Sequence, residues 1–255
     1  MSEGVCLELS VNFRFDFEEK IVLVTGAAGG IGKQVAQAFA VSGAKVLATD
    51  LNPAVKDMAK AYGGLGIEAD LSLPDEPGRV VAASIEKWGP PEILVNIAAF
   101  GRLVPITELS PEEWQKNLDV NLTSVYQCAA SVLPYMIERR KGSIISFSSV
   151  VAGEGGKYQA HYAAAKAGIE AFSRSLAREV GPLGIRVNVI APGMVDTPLI
   201  DFIAPEIKMK MSSRYPVPRP GKPEEFIGPV LFLASDAASY ITGHILDVNG
   251  GRTMS

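Results

Sequence analysis

The chain has 255 residues, of which 47% are hydrophobic and 20% are charged, and its formal net charge at pH 7 is −4. This length fits one large α/β domain or two small ones, and the composition supplies enough apolar residues for a sizeable core. The slight acidity, without any basic cluster, argues against a nucleic-acid-binding protein. No apolar run reaches the ~18 residues of a membrane span, and a secretion signal is lacking, so we expect a cytoplasmic protein with no membrane partner.

Residue types that bind metals are scarce. The two cysteines, Cys6 and Cys128, lack the close spacing of a metal site, and we expect unpaired thiols in a reducing compartment. The two histidines, His161 and His244, are far apart in the sequence. We therefore expect neither a bound metal nor a Ser-His-Asp triad.

Strand and helix patterns alternate along the whole chain. The short apolar or β-branched runs that predict strands are Ile21–Thr25, Lys45–Thr49, Gly66–Ala69, Ile93–Ile97, Ser143–Phe147, Ile185–Ile190 and His244–Val248. Helical patterns lie between them. This alternation predicts an α/β fold with a doubly wound parallel sheet of about seven strands, covered by helices on both faces.

Three helices carry distinct sequence signals. Ser110 followed by Pro111 is typical of an N-cap and a first helical residue. An Ala-rich segment with apolar residues at helical spacing predicts a helix over Ala160–Val180. Another helix is predicted to begin at Pro223, and Pro229 inside it should produce a kink.

Two segments fall outside the alternating pattern. Residues 1–15 predict an arm that precedes a single domain over residues 16–255. Residues 194–222 form a long Pro- and Met-containing segment after a strand, and loops of this length commonly act as lids. We refer to residues 194–222 as the lid segment.

A glycine-rich turn follows the first predicted strand, and Gly26, Gly30 and Gly32 lie within it. Glycines at a strand-to-helix turn permit close approach of a ligand phosphate to the helix N-terminus, although a tight turn without a ligand would look similar. Asp50 ends the second strand, about twenty residues further on, where a carboxylate binds the ribose hydroxyls of NAD. It would repel a 2′-phosphate, and the alternative is that Asp50 caps the helix that follows.

Tyr162 and Lys166 are four residues apart on the predicted helix Ala160–Val180, so their side chains share one face. An ammonium group near a phenol favours the phenolate, which predicts a lowered pKa for Tyr162 and a role as general base or acid. Ser149, upstream of both, would hydrogen-bond the reacting oxygen. The alternative is that the pair lies on a solvent-exposed helix face.

In this order and spacing, the motifs over about Phe17 to Gly251 resemble the short-chain dehydrogenase/reductase family, classical type. The segment from Thr25 to Gly32 is similar to that family's TGxxxGIG turn, and Asn249 to Gly251 to its closing turn. The resemblance implies a Rossmann fold and a nicotinamide cofactor, for which Asp50 favours NAD. The residues that it assigns to the cofactor are Gly26, Gly30, Ile31, Gly32, Asp50, Leu51, Asp70, Leu71, Asn96, Ala98, Tyr162, Lys166, Pro192, Gly193, Val195 and Thr197.

The same resemblance implies four catalytic residues: Asn121, Ser149, Tyr162 and Lys166. In it, Tyr162 exchanges the proton with the alcohol or ketone oxygen, Ser149 polarises that oxygen, and Lys166 lowers the phenol pKa and binds the nicotinamide ribose. Asn121 kinks a helix and holds a relay water. One residue departs from the family pattern, because Ala99 stands where a glycine is usual, and alanine would be strained if that position has a positive φ.

The expected function is NAD-dependent interconversion of a secondary alcohol and its ketone. A sugar, sugar acid or polyol is the first substrate considered, because Glu154, Lys157 and Gln159 lie between Ser149 and Tyr162 and could bind hydroxyls. A 3-oxoacyl thioester reductase is the alternative enzyme, although such reductases usually use NADPH. A non-catalytic NAD-binding sensor is the alternative from another class, and the complete catalytic set argues against it. Through the resemblance, we also expect a homotetramer formed by the helices Pro111–Arg139 and Ala160–Val180.

Overall fold

The computed structural model describes residues 15–254, so the predicted arm, apart from Phe15, and Cys6 lie outside the described residues. Seven strands form one parallel sheet, in the order β3-β2-β1-β4-β5-β6-β7. The strands are β1 (Ile21–Thr25), β2 (Lys45–Asp50), β3 (Leu65–Glu68), β4 (Ile93–Asn96), β5 (Gly142–Phe147), β6 (Ile185–Pro192) and β7 (Ile245–Val248). The predicted α/β fold with a doubly wound parallel sheet is confirmed.

Nine α-helices connect or follow the strands within residues 15–254. They are α1 (Gly30–Val41), α2 (Val55–Ala61), α3 (Glu76–Lys87), α4 (Pro111–Leu118), α5 (Ser124–Arg139), α6 (Val151–Glu154), α7 (Ala160–Val180), α8 (Pro205–Ser212) and α9 (Ile227–Ala234). A π-helical turn over Asp119–Thr123 joins α4 to α5. In this structure α8 lies within the lid segment.

The sheet consists of two runs of strands that are consecutive in the sequence, β1 to β3 and β4 to β7. One pairing joins the two runs, because β1 also pairs with β4 in the register Val22↔Ile93 to Val24↔Val95. The chain reverses its direction of travel across the sheet at this pairing. Reversal of the strand order leaves a crevice beyond the carboxyl ends of the two strands, which is where doubly wound sheets bind ligands.

Alternation along the central strands separates the core into two layers. Val22 and Val24 pack with Phe39 of α1 and Val230 of α9 on one face of the sheet. Leu23 packs on the other face, together with buried residues of α3, α5 and α7 such as Val132. Burial on both faces explains why the central strands read as continuous apolar runs.

The helices predicted to begin at Pro111 and to span Ala160–Val180 are present as α4 and α7. The Ser110 Oγ accepts a hydrogen bond of 3.1 Å from the Glu113 N–H, and Pro111 is the first residue of α4. The predicted helix that contains Tyr162 spans the same residues as α7. The N-cap and the Ala-rich pattern therefore set these elements locally.

The kink expected inside a helix at Pro229 takes a different form. A 3₁₀ turn covers Pro223–Phe226, and α9 begins only at Ile227. Pro229 therefore lies in the first turn of α9, where its missing N–H removes no helical hydrogen bond. The proline is accommodated by a new helix start instead of a bend within one helix.

Candidate active site

The glycine-rich turn lies between β1 and α1 and has no space for side chains at two positions. Gly26 has a φ of +66°, and a Cβ there would come within 2.8 Å of the Ala98 backbone nitrogen. A Cβ on Gly32 would come within 2.1 Å of the Gly26 carbonyl oxygen. The N-cap residue of α1 is Gly29, which has no side chain that could hydrogen-bond the N–H groups of the first turn. This arrangement suits a phosphate group at the helix N-terminus.

The Asp50 carboxylate lies at the end of β2 and connects this strand to the turn. Its Oδ2 accepts a hydrogen bond of 2.9 Å from the Ala28 N–H, and its Oδ1 accepts one of 2.9 Å from the Asn52 N–H. No Lys or Arg within residues 15–254 forms an ion pair with Asp50. Asp50 does not cap α2, because that helix begins at Val55 and has Ala54 as its N-cap.

The residues expected around adenine lie at the ends of β2 and β3. Asp70 follows β3, and its Oδ1 accepts hydrogen bonds from the N–H and the hydroxyl of Ser72, at 3.0 and 2.6 Å. Leu71 is buried, whereas Leu51 is 67% exposed. Leu51 is therefore available to an incoming ligand, and Leu71 is part of the core beneath it.

At the end of β4, two polar contacts fix the backbone beside the turn. The Thr25 Oγ1 accepts hydrogen bonds from the N–H groups of Ile97 and Ala98, at 3.0 and 3.1 Å. The Asn96 amide donates to the Ser146 hydroxyl, and its Oδ1 is buried without a hydrogen-bond partner. Ala99 is not among the residues with positive φ, so the strain that was expected if φ were positive does not arise.

The residues expected to hold the nicotinamide lie where β6 leads into the lid segment. Pro192 ends β6, and a Cβ on Gly193 would come within 2.9 Å of the Asn249 carbonyl oxygen. Val195 pairs with Gly221, which closes the base of the lid segment. The Thr197 methyl group lies 3.0 Å from the position of a Cβ on Gly30, so the start of the lid segment packs on the glycine-rich turn.

Asn121 lies in the π-helical turn, at the position where the family resemblance implies a kinked helix. Its Oδ1 accepts from the Phe100 N–H at 3.1 Å, and its Nδ2 donates to the Phe100 carbonyl at 2.7 Å. The Nδ2 also donates to the Asn117 carbonyl at 3.0 Å. Asn121 is therefore buried and fixes the loop after β4 onto the helix pair.

Tyr162 and Lys166 lie together near the end of β5, and Ser149 follows that strand. The Lys166 Nζ lies 5.5 Å from the centroid of the Tyr162 ring and donates to the Phe147 carbonyl at 2.8 Å. Ser149 follows β5 and is half-buried. A Cβ on Gly101 would lie 3.8 Å from both the Tyr162 ring and the Leu199 side chain. The loop after β4, the Tyr162 ring and the lid segment therefore meet at Gly101, and we refer to the space between them as the proposed substrate cleft.

The lowered pKa that was predicted for Tyr162 is wrong. Burial raises the pKa of Tyr162 to about 12, and burial lowers the pKa of Lys166 to about 7. Desolvation penalises both charged forms and outweighs the attraction between them. The sequence spacing identifies which groups meet, but the depth at which they are buried sets the direction of both shifts.

The side chains expected to bind substrate hydroxyls are already engaged in part. The Glu154 Oε2 lies 3.0 Å from the Arg252 Nε and 2.9 Å from its Nη2. The Lys157 ammonium lies 4.9 Å from the centroid of the Tyr158 ring. Sequence reasoning missed Arg252, because no local pattern connects it with Glu154.

Within residues 15–254, no helix combines the length and apolarity needed to cross a bilayer. The same residues hold no group of three His, Cys, Asp or Glu side chains arranged to bind a metal ion. The two tight glycine positions, the Asp50 carboxylate and the unpartnered Asn96 Oδ1 fit a dinucleotide. The residues present are therefore suited to a nicotinamide cofactor across the β1–β4 crevice.

Comparisons with known proteins agree with this architecture. The family profile described as enoyl-(acyl carrier protein) reductase matches residues 26–253. The 3-oxoacyl-(acyl-carrier-protein) reductase FabG of Escherichia coli K12 is 40% identical over 243 residues, which cover 94% of this chain and 99% of that protein. The protein of the same name from Thermotoga maritima is 38% identical over 243 residues, which cover 93% and 99% of the two chains.

A solved structure gives the same result for the fold. It is the crystal structure of a protein from Brucella melitensis named short-chain dehydrogenase/reductase SDR: glucose/ribitol dehydrogenase, and it superposes with a TM-score of 0.89. The two sequences are 33% identical, and the match covers 95% of this chain and 100% of that one. On the family profile, the relatives and this structural match, the chain belongs to the classical short-chain dehydrogenase/reductase family of oxidoreductases.

Proposed function

We propose that this oxidoreductase reduces a 3-oxoacyl thioester to the corresponding 3-hydroxyacyl thioester. The observation that carries the proposal is the similarity to reductases named for that reaction, at 38–40% identity over nearly their whole length. One feature of the site also supports it, because Leu199 of the lid segment offers apolar surface close to Tyr162.

In this proposal the Tyr162 hydroxyl donates a proton to the ketone oxygen as that oxygen becomes an alcohol. Ser149 donates a hydrogen bond to the same oxygen and orients it toward Tyr162. Lys166 binds the nicotinamide ribose, and Asn121 keeps the loop after β4 in place. The nicotinamide cofactor, when bound, supplies the hydride that reaches the ketone carbon.

We propose NADH as the preferred cofactor. Asp50 holds a carboxylate against the glycine-rich turn at 2.9 Å from the Ala28 nitrogen, where a 2′-phosphate would meet a like charge. The turn itself contains neither Arg nor Lys between Gly26 and Gly32. Like-charge contact at this position is the kind of repulsive element that produces specificity.

The proposal is tested by assaying the purified protein with acetoacetyl-coenzyme A, a soluble 3-oxoacyl thioester. We expect oxidation of NADH that depends on the thioester, with a higher kcat/KM for NADH than for NADPH. Preference for NADPH would contradict the cofactor assignment alone. Absence of turnover with either cofactor would contradict the thioester assignment.

A second candidate is NAD-dependent oxidation of a sugar, sugar acid or polyol. The structural similarity to the Brucella melitensis protein, which is named for glucose and ribitol, favours it. The segment before α7 also carries Lys157 and Gln159, which could bind hydroxyls. A panel of aldoses, sugar acids, polyols and steroids with NAD separates the candidates, and turnover of any substrate would exclude the non-catalytic sensor.

A further inference from the structure

Three segments that are far apart in the sequence meet at the side chain of Arg252, beside the proposed substrate cleft. Glu154 is the last residue of α6, which follows Ser149, and Tyr215 lies in the lid segment after α8. Arg252 lies beyond β7, and its guanidinium bonds to both. The Glu154 Oε2 lies 2.9 Å from Nη2, and Nη1 donates to the Tyr215 hydroxyl at 3.1 Å. We call these three residues the clasp.

The backbone next to the clasp also fixes the later part of the lid segment, at Pro216 and Val217. The Val217 N–H donates to the Gly250 carbonyl at 2.9 Å. Gly251 has a φ of +79°, and a Cβ there would come within 2.7 Å of the Pro216 ring. Pro216 and Val217 therefore pack on the turn at residues 250–251, and Arg252 extends from that turn toward Glu154.

We infer that Arg252 is a positioning residue that couples the lid segment to the wall of the cleft that follows Ser149. The inference rests on the proposed function in one respect, that substrate binds in this cleft. Arg252 and Glu154 have side chains that are 25% and 35% exposed, so the charge-assisted bonds form in a partly desolvated place. The planar guanidinium can hold Glu154 and Tyr215 at once, which a lysine ammonium does less well.

The clasp acts on the lid segment at Tyr215, and the two ends of the segment have separate contacts. Val195 near the start pairs with Gly221 near the end, and the Lys208 ammonium of α8 lies 2.9 Å from Asp196. These contacts do not involve Arg252. Loss of the clasp should therefore loosen the lid segment around Tyr215 and leave its two ends in place.

The first test compares Arg252→Met with Arg79→Met, which removes an ion pair of similar geometry, to Glu76 at 2.6 Å, on the remote helix α3. At saturating cofactor, Arg252→Met should raise the KM of the substrate about fivefold, the factor that corresponds to loss of ~1 kcal/mol of binding. The kcat and the dissociation constant of the cofactor should change less than twofold. Arg79→Met should leave all three unchanged.

A double-mutant cycle tests whether Arg252 acts through Glu154. The variants Glu154→Gln and Arg252→Met should each raise KM, and the double variant should raise it no further than Arg252→Met does alone. Arg252→Lys should recover part of the loss, and it serves as the second variant if Arg252→Met fails to fold. Additive effects, or an unchanged KM in Arg252→Met or Arg252→Lys, would overturn the inference.

Limited trypsin digestion gives a reading that does not depend on turnover. The exposed Lys210 and Arg214 lie in the lid segment close to Tyr215. Cleavage after either residue should be about fivefold faster in Arg252→Met than in the wild type or in Arg79→Met, because local opening exposes the backbone. Equal cleavage rates would refute the coupling even if the thioester proved to be the wrong substrate. Faster cleavage without thioester turnover would support the clasp and contradict only the proposed function.

Discussion

Lys166 and Tyr162 are buried together in a place that favours the neutral form of each. The lysine side chain is 2% exposed, and its ammonium donates to the Phe147 carbonyl. Burial raises the pKa of Tyr162 to about 12 and lowers that of Lys166 to about 7. Burial therefore disfavours the charged form of both side chains.

The role proposed for Tyr162 predicts a selective loss of chemistry in Tyr162→Phe. The phenol oxygen transfers the proton, whereas the ring supplies only packing, so kcat should fall by about 100-fold or more while cofactor binding stays within twofold. Steady-state kinetics and cofactor titration of the purified variant measure the two effects. Activity within tenfold of the wild type would show that another group transfers the proton.

Burial of Lys166 also predicts a pH-dependent cost to folding. Its pKa falls from 10.5 to about 7 in the folded protein, so between these values the unfolded chain binds more protons and stability rises with pH. Below pH 7 the cost is fully present. The free energy of unfolding of Lys166→Met should exceed that of the wild type by the largest amount at pH 6. This excess should shrink by several kcal/mol toward pH 9.5.

Urea unfolding at pH 6, 8 and 9.5 measures this difference. Lys210→Met, which changes an exposed lysine of α8, is the matched control and should show no such pH dependence. Lys166→Met also loses the hydrogen bond to Phe147, so the measured quantity is the change of the stability difference with pH and not its absolute size. A difference that stays constant with pH would contradict burial as the cause.

Among the secondary-structure elements, the π-helical turn between α4 and α5 is the one that brings Asn121 to the site. The extra residue in the turn allows the Asn121 side chain to bond both backbone groups of Phe100. π-Helical turns are rare in proteins, and those that occur are often found at functional sites. The turn thereby connects the helix pair to the loop that carries Gly101 beside Tyr162.

Asn121→Ala should destabilise the protein by about 1–3 kcal/mol, because it leaves the partly buried Phe100 N–H without its partner and leaves the Phe100 carbonyl only the 3.4 Å bond from the Asn117 amide. The proper comparison is Ser131→Ala, which removes a hydrogen bond of 2.8 Å to the Gln127 carbonyl inside α5 and should cost less than ~0.5 kcal/mol. Chemical denaturation of both variants measures the two costs. Equal costs would show that the Phe100 bonds add nothing to stability.

How much the sequence predicts differs between elements. The β-branched runs and the N-cap at Ser110 identified strands and helices to within about two residues, because these signals are local. The separate start of α9 was missed because the proline pattern alone does not show where a helix divides. The clasp was missed because Glu154 and Arg252 are 98 residues apart, and the pKa directions were missed because burial depth depends on packing.

For the whole molecule, the expected homotetramer stays a prediction. Some of the small residues that suggested close helix approach serve the chain's own core, because Ala129 and Ala165 are fully buried. Ala130 and Ala164, by contrast, are exposed on α5 and α7. Tyr126 is also 55% exposed and meets Phe172 edge-to-face, so α5 and α7 present a continuous surface that a second copy could cover.

Light scattering of the wild type at micromolar concentration should give the mass of four chains. Ala164→Arg places a long cation on the proposed contact surface and should yield a smaller species. Ala82→Arg makes the same change at an exposed position of α3 and should leave the mass unchanged. A monomeric wild type, or an Ala164→Arg variant of unaltered mass, would contradict the assignment of this surface.

The single pairing between β1 and β4 has a consequence for the order in which the protein is made. Residues 21–68 contain all of β1, β2 and β3, so one half of the sheet can pair before the ribosome has added β4. The remaining four strands follow in the sequence, and β4 joins them to the first three where Val22 pairs with Ile93. A cofactor in the crevice at this junction would touch both groups of strands, so its binding would also stabilise the one pairing that joins them.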